Sequence, residues 1–267
     1  MELRLNNGLL EVRLESFGAE LVGLRDLENN REYMWQKDSK FWAKCSPILF
    51  PFVGAIKDNR YFYAGKEYQI TTKHGFARDY EFKVSSQDDT SIEFLFESNE
   101  ETLKIYPFNF KLYLKYILNG KKLRMEYRVE NLGDKKMYFS LGAHPAFATP
   151  VGENIDYSDY YIEFEKEESG EVKVLNGALI NSKKVEKVFE GKKLVLTKDR
   201  FKNDALIIEN PNSYKVNLKN DKTKYNVNFT YEGFKYMAFW NMVGAEYVCL
   251  EDRKSTRLNS SHRCISY

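Results

Sequence analysis

Hydrophobic and polar residues alternate along two neighbouring stretches of this 267-residue chain. In LRMEYRVE (residues 123–130) every odd position is apolar and every even position is charged. The stretch 112–118 alternates similarly, and Asn119-Gly120 separates the two stretches. A period of two predicts a strand with one buried and one solvated face. Because Asn-Gly favours a two-residue turn, the two strands are predicted to form a hairpin.

Further strands are predicted where short apolar or alternating stretches lie between turn residues. They are 9–14, 21–25, 60–64, 67–71, 80–85, 91–97, 160–165, 172–175, 193–196, 205–209, 214–218, 225–230, 236–240 and 246–250. No stretch of twelve residues shows a clean helical period, so helices are predicted to be few and short, at 39–44 and near 100–106. The pattern predicts an all-β fold, a large antiparallel β-sandwich that forms a single domain over residues 1–252.

The composition narrows the class of protein. The 19 Tyr and 19 Phe suit strands, and a net charge of +2 does not favour binding to nucleic acid or to a membrane surface. No apolar run is long enough to span a bilayer, and the N-terminus lacks the pattern of a signal peptide. Three scattered cysteines favour reduced thiols, so a cytoplasmic location is predicted.

The segment RKSTRLNSSHRCISY (residues 253–267) differs from the rest of the chain. It carries four Lys or Arg and no acid, so 37 basic residues remain elsewhere against 39 acidic ones. The segment resembles a peptide that arises when sequencing-adapter DNA is translated; a natural disordered basic terminus is the alternative. We expect 253–267 to be an artefactual or disordered tail, and we discount His262 and Cys264 as site residues.

Three residues outside this tail are candidates for acid–base chemistry. His74 is followed by Gly75 in HGFAR, His144 precedes a proline in GAHPAF, and Glu251 ends an apolar strand. Each has a plain structural interpretation, as a turn residue, a strand terminator or a solvated strand end. Together, two imidazoles and a carboxylate form a plausible acid–base set.

Other chemistries fit the sequence less well. It contains no G-x-S-x-G elbow, no phosphate-binding Walker loop and no G-x-G-x-x-G after a strand. Neither His74 nor His144 has His or Cys neighbours at the spacing of a zinc site, and no Asp-rich calcium loop occurs. No metal and no cofactor are predicted.

Several motifs in order along the chain resemble the LacX-like branch of the aldose 1-epimerases (mutarotases). They are SPILFPFVG (46–54), GKEY (65–68), HGFAR (74–78), GAHPAF (142–147), NDAL (203–206), Trp240 and GAEYVCLE (244–251). The resemblance covers residues 1–251, and HGFAR together with GAHPAF is specific. It implies a galactose mutarotase-like β-supersandwich and a metal-free interconversion of the two anomers of a hexose.

The resemblance also implies roles for individual residues. Glu251 would be the general base for the anomeric hydroxyl and His144 the general acid for the ring oxygen. His74, Arg78 and Asp204 would bind the sugar. Phe76 or Trp240 could stack on the sugar, although either is equally well placed in a core.

The sequence departs from the family in two places. Ala55 stands where the family has an arginine, and Glu251 is followed by Asp252 and the tail rather than by Pro-Trp and further strands. We therefore expect the final strands of the family fold to be missing. The alternatives are a hexose-6-phosphate 1-epimerase and a non-catalytic carbohydrate-binding protein. The predicted partner is a small-molecule sugar, and the expected state is a monomer or homodimer.

Overall fold

Antiparallel strands dominate a computed structural model that describes residues 1–150, 152, 154–176, 179–256 and 262–266. The strands are β1 Glu2–Asn6, β2 Leu10–Glu15, β3 Glu20–Asp26, β4 Arg31–Glu32, β5 Ile48–Leu49, β6 Arg60–Tyr63, β7 Lys66–Gln69, β8 Lys83–Gln87, β9 Ser91–Glu97, β10 Phe110–Asn119, β11 Lys122–Asn131, β12 Phe139–Ala143, β13 Ala146–Ala148, β14 Tyr161–Glu168, β15 Glu171–Asn176, β16 Leu179–Lys187, β17 Gly191–Val195, β18 Leu206–Glu209, β19 Lys215–Lys219, β20 Asn226–Thr230, β21 Tyr236–Trp240, β22 Tyr247–Thr256 and β23 His262–Ser266.

The predicted hairpin is present as β10 and β11. Leu118 pairs with Leu123 and Asn119 pairs with Lys122 across the turn, as the Asn-Gly signal predicts. In both strands every second residue is buried, and most of the residues between them are partly exposed. These two strands belong to a five-stranded sheet, whose order is β23-β11-β10-β9-β8.

A second large sheet contains Glu251, on β22, and the strands β12 and β13 on either side of His144. It runs in the order β16-β15-β18-β21-β22-β12-β5, and β13 also pairs with β22. Two four-stranded sheets, β1-β2-β3-β4 and β17-β14-β19-β20, and the hairpin β6-β7 complete the strands. Aromatic side chains fill the core, among them the fully buried Phe50, Phe94 and Tyr116. The β-sandwich prediction is confirmed.

Helices are short, as predicted. The α-helix α1 covers Glu100–Ile105, and Asn99 caps it by accepting a hydrogen bond from the backbone N–H of Thr102. Short 3₁₀ turns cover Lys57–Asn59, Ala77–Asp79 and Tyr157–Asp159. No helix in the described ranges is long and apolar enough to cross a membrane.

The helix predicted at 39–44 is wrong. This segment is a single turn in which Asp38 O accepts hydrogen bonds from the backbone N–H groups of Phe41 (3.0 Å) and Trp42 (2.9 Å). The first turn of a helix costs more conformational entropy than its hydrogen bond returns in free energy, so a single turn does not extend into a helix unless packing stabilises it.

The strand that carries Glu251 runs past the domain end predicted at residue 252. β22 continues to Thr256, where it pairs with Phe139 of β12. Of the predicted tail, residues 257–261 and 267 lie outside the described part of the chain.

Candidate active site

The pairing of β22 with β12 and β13 sets His144 opposite Glu251. Gly142 of β12 pairs with Arg253, and Ala146 of β13 pairs with Cys249, so the gap between the two short strands falls at Glu251. Pro145, in that gap, accepts a hydrogen bond from Leu250 N at 3.0 Å through its carbonyl oxygen. Opposed residues on neighbouring strands point to the same face of a sheet. Accordingly, His144 Nε2 lies 3.3 Å from Glu251 Oε1.

Both members of this pair are removed from water. Glu251 is fully buried and His144 is 7% exposed. Burial lowers the pKa of His144 below its usual value; Glu251 opposes this shift, and the positive charge of Arg253 adds to it. An imidazole and a carboxylate this close together can act as an acid and a base on neighbouring atoms of one substrate.

His74 joins the pair through β5. Phe50, which follows β5, forms a parallel bridge with Gly75, and β5 pairs with β12 next to His144. The rings of His74 and His144 have their centres 5.7 Å apart and lie edge to face. His74 Nδ1 accepts a hydrogen bond from Gly54 N at 3.1 Å.

The electrostatics of His74 favour the neutral form. Burial, followed by the neighbouring His144 and by Arg253, holds the pKa of His74 well below its usual value. With Nδ1 occupied as an acceptor, the proton of the neutral ring is on Nε2. His74 can therefore donate a hydrogen bond from Nε2 but is a poor source of a proton.

A cavity of about 300 Å³ lies beside these residues. His74 and Asp204 line it, together with Ala55, Lys73, Ile207 and Tyr236. Asp204 lies two residues before β18, and its Oδ1 accepts a hydrogen bond from Ala205 N at 2.8 Å. The volume lies at the lower end of the range for small-molecule sites, roughly 300–1,000 Å³.

Arg253 lies between this cavity and the buried pair. Its Nε and Nη2 donate to Glu251 Oε2 at 3.1 and 2.6 Å, and its side chain lines the cavity. His144 and Glu251 themselves do not line the cavity. They lie behind His74 and Arg253.

The sequence model of the aldose 1-epimerase family matches residues 1–258 of this chain. The chain belongs to the aldose 1-epimerase family. This finding confirms the family that the HGFAR and GAHPAF motifs predicted.

Individual relatives agree with this membership of the aldose 1-epimerases. The plasmid-encoded protein LacX of Lactococcus lactis subsp. lactis is 31% identical over 260 residues, which is 94% of this chain and 87% of LacX. A galactose mutarotase related enzyme from Lactobacillus acidophilus superposes with a TM-score of 0.89 at 28% identity, over 100% of this chain and 96% of that one. A galactose mutarotase-like protein from Lactobacillus casei gives 0.91 at 27% identity, over 100% and 98%. The galactose mutarotase-like fold is therefore confirmed, and the family supports a carbohydrate epimerase-like, isomerase-type activity.

Arg78 does not line the cavity, although the aldose 1-epimerase resemblance implies a sugar contact. Its Nη2 donates to the carbonyl oxygen of Lys73 at 2.6 Å, and burial lowers the pKa of its guanidinium. Arg78 therefore holds the backbone that carries His74. Phe76 is 4% exposed and packs against Phe50 and Phe110, so it belongs to the core and is not a sugar platform.

Two residues near the site were not predicted from sequence as site residues. Arg253 was assigned to the tail, although its position two residues after Glu251 on a strand puts both side chains on one face. Trp42 was placed in a helix, yet its ring centre lies 5.0 Å from that of His144. No sequence signal connected Trp42 with His144, because the contact depends on how the 38–47 segment packs.

Metal ligands are not grouped at this site. Within the ranges that the structure describes, no cluster of three or more His, Cys, Asp or Glu side chains could hold a metal ion. The arrangement thus offers proton transfer and hydrogen bonding from this chain's own side chains.

Proposed function

We propose that this chain is an aldose 1-epimerase that interconverts the α and β anomers of a hexose by general acid–base catalysis. The observation that carries the proposal is the contact of 3.3 Å between His144 Nε2 and Glu251 Oε1, both buried next to a cavity lined by His74 and Asp204. Two groups this close together can act on the two oxygens that share the anomeric carbon.

In the proposed reaction, Glu251 removes the proton from the anomeric hydroxyl while protonated His144 gives its proton to the ring oxygen. The bond between the anomeric carbon and the ring oxygen breaks, and the open-chain aldehyde forms. After rotation about the bond between the first and second carbons, His144 takes the proton back and Glu251 returns its own as the ring closes. The proton count is restored after each turnover, and neither oxygen has to bear a full charge.

Three further residues would bind the substrate. Neutral His74 would donate a hydrogen bond from Nε2 on the ring-oxygen side, and the carboxylate of Asp204 would accept from sugar hydroxyls. Arg78 stays a predicted sugar contact, although it lies outside the cavity lining and fixes the His74 loop through Lys73 O. A cytoplasmic location and a monomeric or dimeric state stay predictions.

A phosphorylated hexose is the second candidate substrate, and the charge of the cavity favours it. The cavity is lined by three basic residues, Lys73, Arg253 and Lys254, and by one acidic residue, Asp204. Lys73 and Lys254 could bind a phosphate group on a sugar, whereas Arg253 is already paired with Glu251. Arg253 and Lys254 belong to the segment that we predict to be foreign, so we place this candidate second.

The proposal is tested by NMR exchange spectroscopy of anomers, with free and phosphorylated hexoses supplied separately. The uncatalysed exchange is subtracted. We expect the wild-type chain to accelerate exchange and His144→Asn to lose about 10²- to 10⁴-fold of that acceleration, since a positioned acid contributes about this much. Circular dichroism would control for folding.

Each outcome distinguishes among the candidates. Unchanged exchange in His144→Asn would remove His144 from the mechanism. Acceleration restricted to phosphorylated sugars would select the second candidate, whereas sugar binding without any acceleration would leave a carbohydrate-binding protein.

A further inference from the structure

The indole of Trp42 covers the imidazole of His144. Their ring centres are 5.0 Å apart with an interplanar angle of 36°, which is closer to stacked than to edge-on. Trp240 and His74 also approach His144, each at 5.7 Å, but at 78° and 87°. Among these three rings, Trp42 is the one whose plane lies most nearly parallel to the imidazole.

The geometry points to Trp42 as a positioning residue that holds the His144 ring with Nε2 towards Glu251 and favours the protonated imidazole. This inference rests on the proposed function, because Trp42 would act through the general acid. Trp42 is not proposed to contact the reacting atoms.

His144 needs such a contact because its second ring nitrogen does not orient it. An imidazole in an active site is commonly fixed by a hydrogen bond at the nitrogen that does not react. His144 Nδ1 is buried and has no hydrogen-bond partner among the described residues. The backbone N–H of His144 donates to Pro47 O at 3.2 Å, which fixes the main chain but makes no contact with the ring nitrogens. The aromatic contact then supplies the missing restraint.

Trp42 is itself held firmly enough for this role. Its carbonyl oxygen accepts a hydrogen bond from Trp35 Nε1 at 2.9 Å, and its ring stacks on Tyr247 with centres 5.8 Å apart. Glu20 anchors the following residues by accepting from the backbone N–H groups of Cys45 (2.6 Å) and Ser46 (2.8 Å). The segment that carries Trp42 is thus tied to the core at both ends.

The indole also affects the charge state of His144. Burial and the positive charges of Arg253 and Arg78 oppose protonation of the His144 ring. Glu251, which is in contact with the ring, favours its protonation. The neutral ring of His74 packs edge to face against it. The face of an indole attracts a cation within about 6 Å of the ring centre. Trp42 would therefore offset part of the cost of protonating a buried histidine.

The experiment compares Trp42→Leu with Trp42→Phe, and with Phe41→Leu as the matched control. Phe41 packs in the same aromatic cluster, where its ring contacts Trp35. The His144 ring would be titrated by NMR, with its signals assigned through His144→Asn. Anomer exchange would give kcat and KM for the same proteins.

We expect Trp42→Leu to lower the midpoint of the His144 titration by about one pH unit and kcat by about tenfold, with little change in KM. Trp42→Phe keeps an aromatic face and should recover most of both, while Phe41→Leu should match the wild type. If Trp42→Leu does not fold, Trp42→Phe is compared with Phe41→Leu. The midpoint of the His144 titration should then be lower in Trp42→Phe than in Phe41→Leu, by less than one pH unit.

Two results would overturn the inference. One is a His144 titration that is the same in the wild type and both Trp42 variants. The other is a rise in KM without change in kcat, which would make Trp42 a sugar-stacking platform. Should the wild type accelerate no anomer exchange, the proposed function fails, but the titration still decides whether Trp42 controls His144.

Discussion

At the scale of single residues, the two imidazoles of the site differ in what they contact at Nδ1. His74 Nδ1 accepts a hydrogen bond from Gly54 N, which fixes the proton of the neutral ring on Nε2. His144 Nδ1 has no such partner in the described part of the chain, and its Nε2 faces Glu251. In the proposed reaction, His74 would be the fixed hydrogen-bond donor and His144 the group that exchanges a proton.

We expect His74→Asn to raise KM by about tenfold, the effect of losing one net hydrogen bond, and to change kcat far less than His144→Asn does. Asn suits this position because His74 has a φ of 65°, which Asn tolerates, while its shorter side chain does not reach as far. The measurement is steady-state anomer exchange beside an NMR titration of the wild type. A His74 ring that titrates between pH 6 and 8 would contradict the assignment, because its pKa is held well below the usual value.

At the scale of elements, the His74 loop depends on its close approach to the chain just after β5. Gly75 has a φ of 74°, and a Cβ atom built on it would lie 2.2 Å from Phe50 O and 2.4 Å from Phe50 C. Phe50 O accepts hydrogen bonds from the backbone N–H groups of Phe76 and Ala77 at 3.0 and 3.1 Å. The glycine of HGFAR is therefore required by contact with backbone, which cannot move aside as a flexible side chain could.

Gly75→Ala should destabilise the fold by more than 2 kcal/mol, since about 1–2 kcal/mol comes from the positive φ alone and the clash adds to it. Gly65→Ala is the matched control: its φ is 79°, and nothing lies within 4 Å of its Cβ position. Urea unfolding of both variants isolates the clash. Equal losses of unfolding free energy in the two would show that the approach of Phe50 does not matter.

At the scale of the whole molecule, β22 places Glu251 against His144 and turns Asp252 into the core. Asp252 is fully buried, and both of its carboxylate oxygens lack hydrogen-bond partners among the described residues. Burial raises the pKa of Asp252 to about 8, from a usual value of 3.8; the nearby backbone N–H groups of Asp252 and Ala143 offset only part of this. An uncompensated carboxyl group in a core opposes folding.

The global stability should fall as pH rises through the window set by Asp252. Above about pH 4 the unfolded chain loses this proton, whereas the folded chain retains it up to about pH 8. The folded state therefore binds more protons in this interval, and the free energy of unfolding decreases by an amount on the order of 3 kcal/mol between pH 5 and pH 8. Asp252→Asn should remove that dependence.

The measurement is urea unfolding of the wild type and Asp252→Asn at pH 5 and pH 8. Asp88→Asn serves as the control, because hydrogen bonds from Thr90 and Ser91 lower the pKa of Asp88 to about 2, so its ionisation does not change across this interval. The same pH dependence in the wild type and Asp252→Asn would show that Asp252 is hydrated or displaced from the core.

The sequence by itself determined the fold class, the long hairpin and the identity of the chemical groups. Period-two alternation in 112–118 and 123–130 records which face of each strand is buried, so burial and register could be predicted locally. The HGFAR and GAHPAF motifs named the family, and His74, His144, Asp204 and Glu251 were named with them. The prediction lacks β5 and β13, because two or three residues carry no measurable period, and it also lacks the longer strands β1, β12 and β16.

Only the tertiary structure decided which of these groups meet. The contact between His144 and Glu251 arises because the break between β12 and β13 falls opposite Glu251. The register between strands that are far apart in sequence, unlike that of a hairpin, is a long-range property. The contact of Trp42 with His144 and the burial of Asp252 depend in the same way on packing between segments far apart in sequence. The alternation of apolar and polar residues along a strand shows which side chains of that strand are buried. The distance between two residues on different strands is set by how the strands pair and pack.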